Sequence, residues 1–246
     1  MRELHINIPP FKKIISLSRV SSTMDVAYML GRLGERNIVI KAEQQWAGRG
    51  KGENVWFSDD DSLTFSIILN GGFLYKPSLL PLLAGAIVKR GIISMTGIPI
   101  RLKWPNDVIF NRKKLGGILG EDWGKFIIIG IGLNINQKDF PYWLDTAISL
   151  YQIIGRDIEK DDILMSILKE FSLSLDTLVG EGITLIINEW KKSCDILGER
   201  VIVRYGLSQE EGIITEIASD GALVVELRDG REKKVYSTEE LLVQGR

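Results

Sequence analysis

The run Ile127-Ile128-Ile129-Gly130-Ile131-Gly132-Leu133-Asn134-Ile135-Asn136 constrains this chain more than any other segment. As a strand it points alternate residues to opposite faces, so Gly130, Gly132, Asn134 and Asn136 share one of them. Neighbouring positions without side chains on one face leave a groove where a ligand or another chain can lie against backbone, with two amides at its end. The same glycines also suit a close-packed helix crossing, and the segment alone supports both readings.

Two further clusters carry charge. Gln45-Trp46-Ala47-Gly48-Arg49-Gly50-Lys51-Gly52 sets two cations among glycines whose backbone donors can approach a phosphate closely. On its own such a loop is more often a basic surface feature. Lys103-Trp104-Pro105-Asn106-Asp107 follows, and then Lys113-Lys114-Leu115-Gly116-Gly117. Pro105 biases Trp104 toward an extended backbone. The amide and carboxylate of Asn106 and Asp107 are oxygen ligands of the kind magnesium takes when it also holds a nucleotide phosphate. In isolation they read as an ordinary Pro-Asn-Asp turn. Taken together the clusters describe a nucleotide-handling, anion-binding site.

Composition narrows the chemistry. With 31 basic and 32 acidic side chains the net charge is −1, so no overall field draws the chain to nucleic acid or to an anionic membrane. Apolar stretches such as Leu79 to Val88 fall short of the roughly twenty residues a membrane span needs, and the N-terminus lacks a signal-type apolar core; a cytoplasmic location is expected. Cys194 is the only cysteine, which excludes an internal disulfide and a cysteine-based zinc cluster. His5 is the only histidine, so Ser-His or Cys-His nucleophilic catalysis and a multi-histidine metal site are disfavoured. Chemistry must rest on Lys, Arg, Asp and Asn, which position reactants and neutralise charge.

Periodicity predicts a strand over 12–18, a helix capped by Ser22 and running to about Glu35, and strands over 37–43 and, alternating, 62–69. A helix capped by Ser78 runs to about Met95. Strands follow over 100–102, 108–110, 115–121 and 126–135, then a helix marked by Leu164, Leu168, Phe171, Leu175 and Leu178. From about Leu197 the pattern changes to short strands over 200–205, 212–217, 222–227 and 232–236. The expected class is α/β (α+β), with one unit over 1–196 and a small β unit over 197–246.

In this order, Ser21-Ser22-Thr23 before a helix, Gln45-x-Ala-Gly-Arg-Gly, Lys103-Trp-Pro-Asn-Asp, Lys114-Leu-Gly-Gly-Ile-Leu and Gly130-Ile-Gly-Leu-Asn resemble the catalytic domain of biotin–protein ligases. The resemblance implies a mixed-sheet, class II synthetase-like catalytic domain with a small SH3-like C-terminal barrel. It also implies activation of biotin with ATP and magnesium, and transfer to a lysine of a biotin carboxyl carrier protein domain. By that resemblance Ser22 and Thr23 line the pocket for the ureido group, and Met24 replaces an amide often found there. Gln45 bonds the ring system, while Gly48, Gly117, Gly130 and Gly132 leave room for the bicycle and valeryl chain. Arg49 holds phosphate or carboxylate oxygens, Gly50 belongs to the same ligand-binding loop, and Lys51 supplies a point charge where many relatives carry a second arginine. Trp56 stacks on adenine, Asn106 and Asp107 meet phosphate and magnesium, and Asn134 lies near the nucleotide sugar or phosphate. Lys114 lies near the biotin carboxylate and adenylate phosphate, and Asp107 is also placed to accept the acceptor lysine's proton or orient its amine. No segment before Ser16 is long enough for the helix-turn-helix domain of repressor-type members, so no DNA partner is expected. An exposed sheet edge offers family members a dimer surface and a docking edge for the carrier. A lipoate–protein ligase of the same fold group and a non-catalytic biotin-sensing adaptor are the alternatives.

Overall fold

The computed structural model describes residues 1–71, 77–175, 182–194, 196–205, 208–237 and 241–243; Leu178 lies outside them. The chain opens with a hairpin of β1 (Arg2–Ile8) and β2 (Phe11–Val20), continues into α1 (Thr23–Arg32), and returns as β3 (Ile38–Gln45) and β4 (Ser62–Asn70). After α2 (Leu80–Thr96) come β5 (Arg101–Lys103), β6 (Asp107–Phe110), β7 (Lys113–Asp122) and β8 (Phe126–Asn134). These strands form one eight-stranded sheet in the order β1-β2-β3-β4-β8-β7-β6-β5. Only β2 and β3 pair parallel, because α1 carries the chain across between them.

Both faces of this sheet are covered. On one lies α1, whose Met24 and Ala27 pack with Ile38, Ile40, Ile68, Phe126 and Ile128. On the other lie α2, α4 (Lys160–Leu175) and α5 (Gly182–Ser193), with Leu82, Ile87, Ile167, Phe171 and Trp190 in the larger core. Double coverage explains β4: eight successive residues, Ser62 to Leu69, are buried, where alternation was expected. The helices approach closely; a Cβ on Gly91 would stand 2.8 Å from the backbone of Ile167. The Trp190 indole N–H is satisfied by the Leu82 carbonyl at 2.6 Å.

Ser22 caps α1 as expected, its hydroxyl accepting the Met24 N–H at 3.2 Å. Ser78 does not cap α2. It lies in a 3-10 turn over Pro77–Leu79, the residue at the helix start is Leu79, and the Ser78 hydroxyl donates to the Asp220 carbonyl at 2.9 Å. Likewise β8 stops at Asn134, so Asn136 does not continue its face; its side chain exchanges two 2.9 Å bonds with the backbone of Ile158. The strand β1, the short helix α3 (Leu150–Ile154) and α5 were not foreseen. In α5 the β-branched residues Ile183, Thr184, Ile186 and Ile187 weaken the local helix signal, and packing of Trp190 decides the outcome.

A second sheet follows: β9 (Arg200–Tyr205), β10 (Ser208–Ile217), β11 (Leu223–Leu227), β12 (Glu232–Val235) and β13 (Leu241–Val243), all antiparallel in the order β12-β11-β10-β9-β13. Asp220, 6% exposed, sits in the turn between β10 and β11. Burial pushes its carboxyl up, but hydrogen bonds from Lys234, the Ala222 N–H and Tyr236 outweigh this and hold it at about 2. A carboxylate depressed in the folded state stabilises above its unfolded value of 3.8 and loses that contribution as pH falls toward 2. Asp220→Asn is therefore expected to lower the melting midpoint at pH 7 and to flatten its fall between about pH 4 and pH 2. Equal acid slopes in calorimetry would contradict this. Among the described residues no helix is long and apolar enough to cross a membrane.

Candidate active site

The site face of the large sheet is built from three adjacent strands. Register pairs Gly132 with Thr64 on one side and Gly117 on the other, and Gly130 with Ser66 and Leu119. Gly130 and Gly132 on one face of β8 make the trough expected from sequence, and Gly117 on β7 widens it. A cavity of about 330 Å³ lies over it, lined by Ser22, Thr23 and Met24 from α1, Gln45, the Arg49–Trp56 loop, the Lys103–Asp107 segment and Lys114.

At one end Thr23 is the hub. Its backbone N–H donates to Gln45 Oε1 at 2.7 Å, and its hydroxyl accepts from Ser66 at 2.8 Å. Met24, 2% exposed, lays its sulfur against Gly130, where a Cβ would stand 2.5 Å away. Ser66 escaped the sequence reading because a serine inside a strand carries no motif; only pairing with Gly130 brings it here.

The loop closes on itself through Gly50 N–H to the Asn54 carbonyl at 2.8 Å and Trp56 N–H to the Gly48 carbonyl at 2.9 Å. Gly48 is obligatory for closure, since a Cβ there would stand 2.4 Å from the Trp56 carbonyl oxygen. It does not line the cavity. The Trp56 indole lies on Gly132 and near Gly117, its N–H buried without a hydrogen-bond partner. The aromatic therefore covers the trough itself.

Arg49 and Lys114 are each held by carboxylate. Arg49 reaches Asp25 at 3.4 Å and makes a short contact with Glu121. Lys114 Nζ lies 2.8 Å from Asp107 Oδ1 and 5.8 Å from the Trp56 ring centroid. Lys51 Nζ stands 5.7 Å from the Trp104 ring centroid. Arg49 and Lys114 are 41% and 40% exposed, so these ion pairs are weak and exchangeable. Asp25, which the sequence offers only as the acid of the Ser22 capping pattern, and Glu121, which no motif singles out, are the counter-ions of the loop.

Lys114 owes its position to an irregularity. The turn before it, Asn111-Arg112, has both residues at positive φ, 47° and 65°, the form that joins two strands directly. Pairing then shifts between Val108 and Ile109, so that Ile109 faces Lys114 but Val108 faces Gly116. In a regular strand Lys114 would share the α2 face with Gly116 and Ile118; the bulge turns it onto the face of Gly117, whose Cβ would lie 3.4 Å from Lys114 Cε. Its backbone is fixed by Thr146 and Ile148, and Asn134 donates to the carbonyls of Lys114 and Ile148, both at 3.2 Å. Asn134 is 5% exposed and outside the cavity lining, so it supports Lys114 from behind. Asn106 is anchored by its amide to the Ile118 carbonyl at 3.0 Å, and the Trp104–Pro105 peptide is cis.

Residues 16–136 match the biotin/lipoate A/B protein ligase family. The chain is 34% identical over 231 residues to the bifunctional ligase/repressor BirA of Bacillus spizizenii, covering 89% of this chain and 71% of that protein. It is 27% identical to the biotin–[acetyl-CoA-carboxylase] ligase of Paracoccus denitrificans, covering 88% and 95% of the two chains. The structure of biotin protein ligase from Aquifex aeolicus in complex with biotin and ATP superposes with a TM-score of 0.81 at 30% identity, covering 94% of this chain and 98% of that one. Cations from the Arg49–Trp56 loop and from β7 over a glycine trough agree with that relationship: the chain belongs to the biotin/lipoate A/B protein ligase family.

Proposed function

We infer that the protein is an ATP-dependent biotin–protein ligase that adenylates biotin and passes the biotinyl group to a lysine of a carboxylase's biotin carboxyl carrier domain. The observation that carries this reading is the placement of Arg49, Lys51 and Lys114 around one cavity floored by Gly117, Gly130 and Gly132. In the first half-reaction a carboxylate oxygen of biotin attacks the α-phosphorus of ATP, the bond to the bridging oxygen breaks, and pyrophosphate leaves. Negative charge gathers between the Arg49 loop and β7, and Arg49 and Lys114 exchange their carboxylate partners for substrate oxygens at small cost. Thr23 and Gln45 supply the polar end of the biotin pocket, with Ser66 holding the Thr23 hydroxyl from behind, and Met24 its apolar wall. Adenine is expected on Trp56, and the sugar-phosphate side toward Lys51 and Asn106.

Among the described residues no group of three or more His, Cys, Asp or Glu could hold a metal by itself. A single carboxylate beside an amide fits magnesium that arrives on the nucleotide phosphates, with Asp107 and Asn106 as its protein partners and neutralised phosphate charge as its contribution. In the second half-reaction the carrier lysine, with pKa ~10.4 in water, must lose a proton before its amine attacks the acyl carbon and AMP leaves. Asp107, on the cavity wall, is placed to accept that proton or to orient the amine. The reaction belongs in the cytoplasm, where the carrier and ATP meet.

The test is to supply the purified protein with ATP, magnesium and an unmodified biotin carrier domain, with biotin or lipoate in parallel, and to weigh the carrier. The expected result is a mass gain of one biotinyl group that is lost with EDTA. Gain with lipoate alone would establish the lipoate ligase reading, and gain with neither the adaptor reading.

A further inference from the structure

Trp104 is 2% exposed, and its indole N–H is answered from outside the large sheet, by the Gly221 carbonyl at 2.9 Å. Gly221 belongs to the turn between β10 and β11, closed by Ala218 N–H to the Ala222 carbonyl at 2.8 Å and Gly221 N–H to the Ala218 carbonyl at 2.9 Å. Glycine is required there: its φ is +84°, and a Cβ would press on Leu79 at 3.2 Å. Ser78 ties the same turn to the start of α2 through the Asp220 carbonyl at 2.9 Å. The Asp220 side chain organises the turn from within, accepting from Ala222 N–H at 3.3 Å, Lys234 at 2.8 Å and Tyr236 at 3.0 Å. On the far side of Trp104 its ring stands beneath the Lys51 ammonium, and both line the cavity.

We propose that Asp220 is a positioning residue for nucleotide binding: it fixes the Gly221 carbonyl, which fixes the plane of Trp104, which seats Lys51 toward the phosphates. A buried indole N–H keeps the orientation that satisfies it, and an ammonium is attracted to the ring's face, so rotation of the ring moves the charge. The second sheet thus acts on the site through one carbonyl. The proposal rests on the adenylation reading for the identity of the ligand.

The test is a double-mutant cycle on the full chain, read as equilibrium ATP affinity by titration calorimetry well below the melting midpoint. Asp220→Asn is expected to weaken ATP binding about 3- to 10-fold, the scale of a displaced cation–π contact. Tyr236→Phe, which removes one donor at the rim, should weaken it in the same direction and serves if Asp220→Asn does not fold. In a Lys51→Ala background each change is expected to have no further effect on ATP affinity. Additive losses, or a lowered melting midpoint with ATP affinity unchanged, would overturn the proposal and leave the turn a purely structural contact. If wild-type protein binds ATP but does not turn over biotin, the ligase reading fails while the cycle still decides the role of Asp220.

Discussion

Lys114→Ala and Arg49→Ala are each expected to lower biotin-dependent pyrophosphate release by about 10²-fold or more, the scale of removing one preorganised charge donor from a developing anion. That factor corresponds to about 2.7 kcal/mol of transition-state stabilisation. Both side chains end on the walls of one cavity, and both are balanced by carboxylates that a substrate anion can replace. Removing Lys114 leaves Asp107 without its 2.8 Å partner and facing incoming phosphate, so repulsion adds to the lost attraction. Removing Arg49 frees Asp25 and Glu121 in the same way. Neither cation holds the core, so the melting midpoint should change little. Single-turnover formation of adenylate at wild-type rates in either variant would refute the assignment.

Gly132→Val is expected to raise the biotin Kd by about 10²-fold, in line with the 1–3 kcal/mol that overpacking costs. A Cβ at this position stands 2.5 Å from the Trp56 ring, and the strand cannot yield because β4 and β7 flank it. The Trp56 indole, carried on a loop, can leave; the trough then holds valine methyls where the ligand must lie. Gly116, one residue before Gly117, makes the contrast: its Cβ would meet the Gly132 carbonyl oxygen at 2.8 Å, so it serves the sheet rather than the cavity. Isothermal titration of biotin checks the prediction, and unchanged affinity would show that the trough is not the biotin site.

Much of the site was legible because its residues cluster in short segments with special backbone needs. Gly130 and Gly132 face the cavity as the two-residue period of a strand requires. Ser22 caps α1 because a hydroxyl before a helix meets an orphan N–H whatever the tertiary context. What was not legible depends on partners distant in sequence. Ser78 was read as a local cap, yet its partner is 142 residues away. The family resemblance sets Asn134 near the nucleotide sugar or phosphate, but in the fold its amide donates to the carbonyls of Lys114 and Ile148. Continuous burial of β4 hid the expected alternation, since helices cover both faces.

Sequence alone determined the glycine floor, the cationic loop and the strand-helix alternation, since periodicity and glycine placement act through bonds between near neighbours. Tertiary structure decided where the charges point. The bulge at β6 and β7 turns Lys114 from the packed face to the open one, Asp25 and Glu121 meet Arg49 from separate elements, and the Gly221 carbonyl orients Trp104 from the second sheet. The physical reason is that hydrogen bonds and ion pairs are fixed by distance in space, and the distances that matter here close only when strands far apart in the chain are brought into register.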